Sequence, residues 1–309
     1  MPKITRIEAI LLNIPLPRDF RGSVYSVPQK NAIVTRIYTD HGPVGHCVNG
    51  EGDAVIHRQI LEIIEKELTP RLIGADPSRI EALWAQMWPV TYVGGRDPRA
   101  AVRAVAYVDS ALWDLLGKTA GMPLYKLWGG ARDSVPIIAI GGQYHDDYSV
   151  ADYGREMEEL AALGLAGCKF KVGGRTPAED AARTRAAHAA GGKDFVLCVD
   201  ANRGWSRAQA LEFTRLTSDL PLRWFEEPCH WNDDRRDMAL LRAQTGLPIC
   251  AGQSESTAEG CRDLMLDHAI DVCNLDASWG GGPTAWLRVA KMAACFGVQM
   301  AHHGEPVVG

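Results

Sequence analysis

A chain of 309 residues that is 46% hydrophobic and 23% charged reads as an ordinary globular protein, long enough to bury one large core or two smaller ones. Its net charge of −5 excludes a general binder of nucleic acid or of anionic membrane, because no basic surplus exists to neutralise phosphates. No stretch approaches the roughly 20 apolar residues of a membrane helix.

The N-terminus alternates apolar and polar residues and lacks an apolar core followed by a small-residue cleavage site, so it predicts a strand and a cytoplasmic protein. Residues 4–15 and 31–48 predict antiparallel strands with a turn at Asp40-His41-Gly42-Pro43, and residues 53–120 are mostly helical in pattern. Residues 1–130 are therefore expected to form an α+β domain, with residues 131–309 forming a second domain of different character.

From Val135 onward, short β-rich runs alternate with helical segments. The runs are VPIIAIGG, CKFKVG, VLCVDAN, LRWFEEP, PICAGQSE, DVCNLDA and VQMAHH, and seven in series predict a parallel barrel or a doubly wound sheet. Thr176-Pro177-Ala178-Glu179 and Ser206-Arg207-Ala208-Gln209 fit the capping box and fix two helix starts. A further helix is expected from about Pro283 to Phe296, closed by Gly297. The eight cysteines are scattered singly without C-x-x-C spacing and read as buried, reduced thiols.

The charges fall at the C-terminal ends of these strands, which a buried parallel strand should avoid: Lys169 and Lys171, Asp200, Glu226 and Glu227, Glu255, Asp276, His302 and His303. In barrels that edge is where active sites are built. Residues two apart on a strand share a face, so Lys169 and Lys171 point together while Cys168, Phe170 and Val172 point the other way. Acids converging from adjacent strand ends repel unless a cation lies between them, and oxygen-only ligands point to a hard divalent ion, Mg²⁺ first. Asp200, Glu226 and a third acid near Glu255 are the expected ligands. A lysine beside a second ammonium is expected to have a lowered pKa, and a histidine bonded to Asp276 a fixed tautomer, giving two proton-transfer groups beside one metal. That combination suits removal of a proton α to a carboxylate, the scheme that general enzymology assigns to enolase-superfamily sites.

The stretches KFK, VDANRGW and FEEP, the Asp of NLDASWGGG, the His of MAHH and ALWDLLGKTAGMPLYKLWGG together resemble the mandelate racemase branch of the enolase superfamily, over nearly the whole chain. The resemblance implies a TIM-type (β/α) barrel behind an α+β capping domain. It implies Lys171 as the base on one face, Lys169 as its companion on the substrate carboxylate, Asp200 and Glu226 as metal ligands, Asn202 as a substrate contact, and Asp276 with His303 as the dyad on the opposite face.

A gap-free alignment puts Gln253 at the third ligand position, but Glu255 is favoured because a carboxylate suits Mg²⁺ better than an amide. Glu227 is expected to bond a lysine, and His302 to be structural. In the loop RDFRGSVYS, Arg21 and Tyr25 are candidate substrate contacts. The sequence ends at Gly309, shortly after the seventh run, where the family pattern adds an eighth strand and C-terminal segments. The chain thus reads as C-terminally incomplete, with open strand edges and a homo-oligomer expected. The implied activity is Mg²⁺-dependent dehydration of an acid sugar or tartrate-like hydroxy-carboxylate. The alternatives are a racemase or epimerase of a 2-hydroxy acid, or an inactive binding relative.

Overall fold

The computed structural model describes residues 2–50 and 54–304. Residue 53, the expected start of the helical region, and the last five residues of the expected barrel domain lie outside them.

Three antiparallel strands open the chain: β1 (Ile4–Arg21), β2 (Ser26–Thr39) and β3 (Gly45–Asn49), in the order β1-β2-β3. On β2 the alternate residues Ile33, Thr35 and Ile37 are fully buried. They belong to the face that packs on the helices Ala54–Ile63 and Pro98–Ala120. The Asp40–Pro43 turn falls between β2 and β3 as its residues require. β1 runs further than the sequence suggested. Its pairing slips after Pro15 and resumes at Phe20↔Val27 and Arg21↔Ser26. Proline supplies no ladder donor, which is why the run looked finished there.

The 23-residue helix Pro98–Ala120 has Asp97 as its N-cap, accepting from Arg99 N, proline at its first position, and Gly121 at φ 62° closing its end.

The rest of the chain builds a seven-stranded parallel sheet: β4 (Ile138–Gly141), β5 (Gly167–Lys171), β6 (Val196–Asp200), β7 (Phe225–Glu226), β8 (Ile249–Ala251), β9 (Val272–Cys273) and β10 (Gln299–Met300). Spatial order equals chain order, with a helix on each crossover, which is the architecture of a (β/α) barrel. All seven apolar runs supply a strand. Both capping boxes form, Thr176 with Glu179 and Ser206 with Gln209, and Gly297 at φ 68° closes Gly282–Phe296. The register sets Lys171 opposite Asp200, and Asp200 opposite Glu226, so the charged ends stand side by side. Among the described residues β4 and β10 each have one partner strand. All eight cysteines are free, and only Cys295 is exposed.

The two parts of the chain meet at the start of the Gly282–Phe296 helix. Asp109, fully buried, accepts from Thr284 N at 2.9 Å and Thr284 Oγ1 at 2.8 Å, capping that helix from another element. Trp113 Nε1 donates to the same hydroxyl at 2.9 Å, and Trp84 Nε1 to Gly281 O at 2.7 Å. Gly282, at φ 88°, is required here because a Cβ would lie 2.3 Å from Asp109 Oδ2.

Burial pushes the Asp109 carboxyl up from 3.8 to about 7, against the opposing bonds from Thr284. A carboxyl raised in the folded state contributes stability that is complete below the unfolded value and is lost as pH rises toward the folded one. Asp109→Asn removes that dependence. Urea unfolding of both proteins at pH 5 and pH 8 should show the variant gaining about 2 kcal/mol on wild type across the interval; a constant difference would refute the assignment.

Candidate active site

The lysines that share a face of β5 do point inward, and Cys168, Phe170 and Val172 enter the outer core. Lys169 Nζ lies 2.6 Å from Glu226 Oε1 and 3.3 Å from Asp200 Oδ2, and Lys171 Nζ lies 2.7 Å from Asp200 Oδ2. Lys171 also donates to Asn202 Oδ1 at 2.8 Å. All four charged side chains are buried.

Two buried cations interleave with two buried anions, and this decides their titration. Burial, the largest single effect, pushes the Lys171 ammonium down, but Asp200 together with Tyr25 and Glu226 outweighs burial and the Lys169 charge, so its pKa is raised. Lys169 is raised likewise, with Glu226 and Asp200 overcoming burial. Asp200 is held far below the carboxylate range because Lys171 and Lys169 outweigh its burial. Glu226 is raised by burial and by Asp200, against the pull of Lys169. The expected lowering of a lysine pKa by its twin is therefore not what this arrangement produces: each ammonium sits closer to a carboxylate than the ammonium–ammonium effect can offset.

The turns after the strands fix the acids. Asn202 (φ 43°), Arg203 (φ 62°) and Glu227 (φ 39°) are left-handed without being glycine, a concentration of strain directly at the strand ends. Asn202 N donates to Asp200 Oδ1 at 2.9 Å, and Arg203 N to Glu227 O at 2.8 Å.

Beyond β9, Asp276 accepts from Ser278 N at 2.7 Å and Ser278 Oγ at 2.6 Å through Oδ1, and its Oδ2 meets His303 Nδ1 at 2.9 Å. Burial, the largest single effect, raises the Asp276 carboxyl, but the bond and charge of His303 with the bond from Ser278 together outweigh it and its pKa is lowered. With Nδ1 engaged, Nε2 is the ring atom left for proton transfer. Trp279 packs on His303 with ring centroids 5.0 Å apart, and the Arg103 guanidinium lies 4.6 Å from the Trp279 ring. His302 turns elsewhere: its Nε2 accepts from Ala277 N at 3.3 Å.

Four expectations meet a different geometry or only half of it. Glu255 does not join Asp200 and Glu226. Its carboxylate is taken by Arg235 Nη2 at 2.6 Å, beside the start of the Ala258–Leu266 helix. Among the described residues no three His, Cys, Asp or Glu side chains gather as a metal cage. Gln253, 4% exposed, follows β8 instead, and donates from Nε2 to Glu227 Oε2 at 2.7 Å. Among the described residues no lysine bonds Glu227; its other oxygen accepts from Ser254 Oγ at 2.6 Å, and Arg203 Nε lies 3.5 Å away. Of the two loop candidates, Arg21 pairs with Asp146 at 2.8 Å on the surface, whereas the half-buried Tyr25 ring lies 5.8 Å from Lys171 Nζ. Burial raises the Tyr25 phenol.

Sequence reading passed over two supports of this site. Ser23 Oγ donates to Ala201 O at 2.6 Å and ties the β1–β2 hairpin to the turn after β6. Arg183, 1% exposed on the Pro177–Gly191 helix, donates to Lys171 O at 3.1 Å and Gly142 O at 2.6 Å while paired with Asp180 at 2.5 Å. The i, i+3 spacing of Asp180 and Arg183 on an otherwise alanine-rich face was the available signal.

Residues 6–129 match the family described as mandelate racemase / muconate lactonizing enzyme, N-terminal domain, and residues 152–309 match the enolase C-terminal domain-like family. The chain belongs to the mandelate racemase / muconate lactonizing enzyme family of the enolase superfamily. Among curated members of this family it is 32% identical to arabinonate dehydratase of Saccharolobus solfataricus, over 88% of this chain and 72% of that protein. It is also 32% identical to 3,6-anhydro-alpha-L-galactonate cycloisomerase of Streptomyces coelicolor, over 97% and 82%. A mandelate racemase/muconate lactonizing enzyme from a marine actinobacterium, crystallised in complex with magnesium, superposes with a TM-score of 0.90 at 48% identity, covering 99% of this chain and 82% of that one.

Proposed function

We propose that this family member abstracts the α-proton of a hydroxy-carboxylate with the help of Mg²⁺ and expels the β-hydroxyl, acting as an acid-sugar dehydratase. The observation that carries the reading is the interleaved set Lys169–Glu226, Lys171–Asp200 with Asp276–His303 on later strand ends. The donor set suits a hard cation: Asp200 and Glu226 offer only oxygen, and both are buried on adjacent strands. Mg²⁺ held there would neutralise charge that develops on the substrate carboxylate as the α-carbon loses its proton.

The chain's own groups do the rest. Lys171 Nζ takes the α-proton as the free amine, a form made accessible where the cation would neutralise Asp200, whose charge raises the Lys171 pKa in the metal-free chain. Lys169 and Asn202 hold the carboxylate end. His303, protonated, gives its Nε2 proton to the departing β-hydroxyl, which leaves as water, and Asp276 holds the imidazole and balances its charge. The enol that results becomes a 2-keto-3-deoxy acid. Tyr25 reaches over the site from the capping hairpin and is the candidate for selecting the polyol end of the substrate.

A second reading is favoured by the same two-sided placement of Lys171 and His303, since opposed proton-transfer groups also permit racemisation or epimerisation. A library of acid sugars incubated with the protein and Mg²⁺ in D₂O separates the two. A semicarbazide-reactive keto product, lost on adding EDTA, is the expected result. Deuterium incorporation with inversion and no keto product establishes the second reading instead.

A further inference from the structure

We propose that Trp279 is a positioning residue for His303, braced by Arg103 of the capping domain, and that this stack decides whether an abstracted α-proton leads on to loss of the β-hydroxyl or is returned by exchange. The inference rests on the dehydratase reading above and concerns what aims its general acid. β10 ends at Met300, and the ladder closes with Ala301 N donating to Cys273 O at 3.0 Å. His303 therefore stands beyond the paired strand. Its bond to Asp276 at 2.9 Å settles which nitrogen carries the proton, yet one hydrogen bond leaves the imidazole free to pivot about it.

Trp279 opposes that pivot. Its ring centroid lies 5.0 Å from that of His303, with the planes tilted by 48°. The turn that places the Asp276 carboxylate also places the indole, because Trp279 N donates to Asp276 O at 3.1 Å and Gly280 N to the same oxygen at 2.8 Å. Both contacts on the imidazole thus come from one turn, one fixing a point on the ring and the other its plane. From the Pro98–Ala120 helix, the Arg103 guanidinium carbon stands 4.6 Å from the Trp279 ring centroid and braces the indole against the capping domain. An aromatic face attracts cations, so the ring holds the imidazolium more firmly than the neutral imidazole and keeps the acid form aimed.

The two outcomes share their first step. The α-C–H bond breaks, the proton passes to Lys171 Nζ, and its electron pair stays with the enolate. In D₂O the amine exchanges that proton, so return delivers a deuteron to the α-carbon. Going forward instead, the electron pair expels the β-hydroxyl, which takes the Nε2 proton of His303 and leaves as water. A misaimed His303 slows the second route alone.

The test uses the full chain with Mg²⁺ in D₂O and the acid sugar that gives most keto product in the library. Keto product is followed with semicarbazide, and deuterium in the recovered substrate by NMR. Trp279→Leu should lower keto product at least tenfold while deuterium uptake stays within threefold of wild type or rises. Trp279→Phe, which restores an aromatic face, should return keto product to within threefold of wild type. A parallel fall of both rates in Trp279→Leu, the mark of a merely structural role, overturns the proposal. So does a loss of keto product under tenfold, or a Trp279→Phe no better than Trp279→Leu. Should Trp279→Leu fail to fold by far-UV circular dichroism, Arg103→Met decides with the indole intact: the ratio of keto product to deuterium uptake should fall at least threefold, and an unchanged ratio overturns the proposal. His303→Asn probes the reading beneath, and should abolish keto product while keeping deuterium uptake. Keto product within tenfold of wild type in His303→Asn, or none from the wild type on any acid sugar, overturns the dehydratase reading and this inference with it.

Discussion

Lys171→Met is expected to reduce Mg²⁺-dependent exchange of the substrate α-proton by about 10³-fold, within the 10²–10⁴ range that a positioned general base contributes. The test uses whichever acid sugar the wild-type chain turns over, with exchange into D₂O followed by NMR. The substitution keeps the length of the side chain and removes the ammonium, so the loss reads on the amine. Mg²⁺ affinity should hold or rise, because Lys171 Nζ, 2.7 Å from Asp200 Oδ2, competes for the same carboxylate. Lys169→Met should act differently, raising KM more than it lowers kcat, since its proposed contact is with the carboxylate and not with the migrating proton. Exchange within tenfold of wild type in Lys171→Met would remove Lys171 from the base role, whatever its effect on substrate binding.

How far the sequence could carry a reader is decided residue by residue. The seven strands were legible because a parallel strand buried on both faces needs a short apolar run, and the charges that close six of the seven runs mark their C-terminal ends. Lys169, Lys171, Asp200 and Glu226 converge for the same reason: parallel strands in register place equivalent ends together. What period-two alternation could not supply is the geometry past the last paired residue. Glu255 looked like a ligand because it shares a strand face with Gln253 if the chain stays extended, but the strand has already ended at Ala251 and Gly252 turns the chain. The guanidinium that captures Glu255 comes from Arg235, on a different helix, and no local pattern announces a partner 20 residues away.

The titration of the lysines was misjudged for a related reason. Two ammonium groups on one strand are visible in the sequence, whereas the carboxylates 2.6 and 2.7 Å from them come from neighbouring strands and dominate at that range. The loop 18–26 shows the same limit. Both Arg21 and Tyr25 lie in the hairpin that reaches the barrel, yet Arg21 finds Asp146 at the surface and Tyr25 turns inward. Which of two neighbours faces a site depends on a partner that the sequence places more than a hundred residues away.

Arg183→Met is expected to lower the unfolding free energy by about 3–5 kcal/mol, the cost of leaving one member of a buried ion pair alone. Arg183 and Asp180 are both fully enclosed, 2.5 Å apart. Asp180 Oδ2 also accepts from Tyr144 Oη and from Gly173 N, both at 2.8 Å. The guanidinium lies against Tyr144, Tyr153 and Phe170, with its carbon 4.3, 4.1 and 4.9 Å from the ring centroids. Methionine keeps much of that packing, so the loss reports on the charge and on three carbonyl and carboxylate partners left short of a donor. Urea unfolding followed by tryptophan fluorescence measures it, and Asp180→Asn in the same background completes a double-mutant cycle. Coupling above about 2 kcal/mol identifies a pair acting as a unit; additive losses, or a cost under about 1 kcal/mol for Arg183→Met, refute it. The site should feel the change too. Arg183 binds the carbonyl of Lys171 and that of Gly142 just past β4, clamping the ends of two strands. Releasing that clamp frees the backbone that aims Lys171, so kcat should fall while Mg²⁺ affinity, set on β6 and β7, stays within a few-fold of wild type.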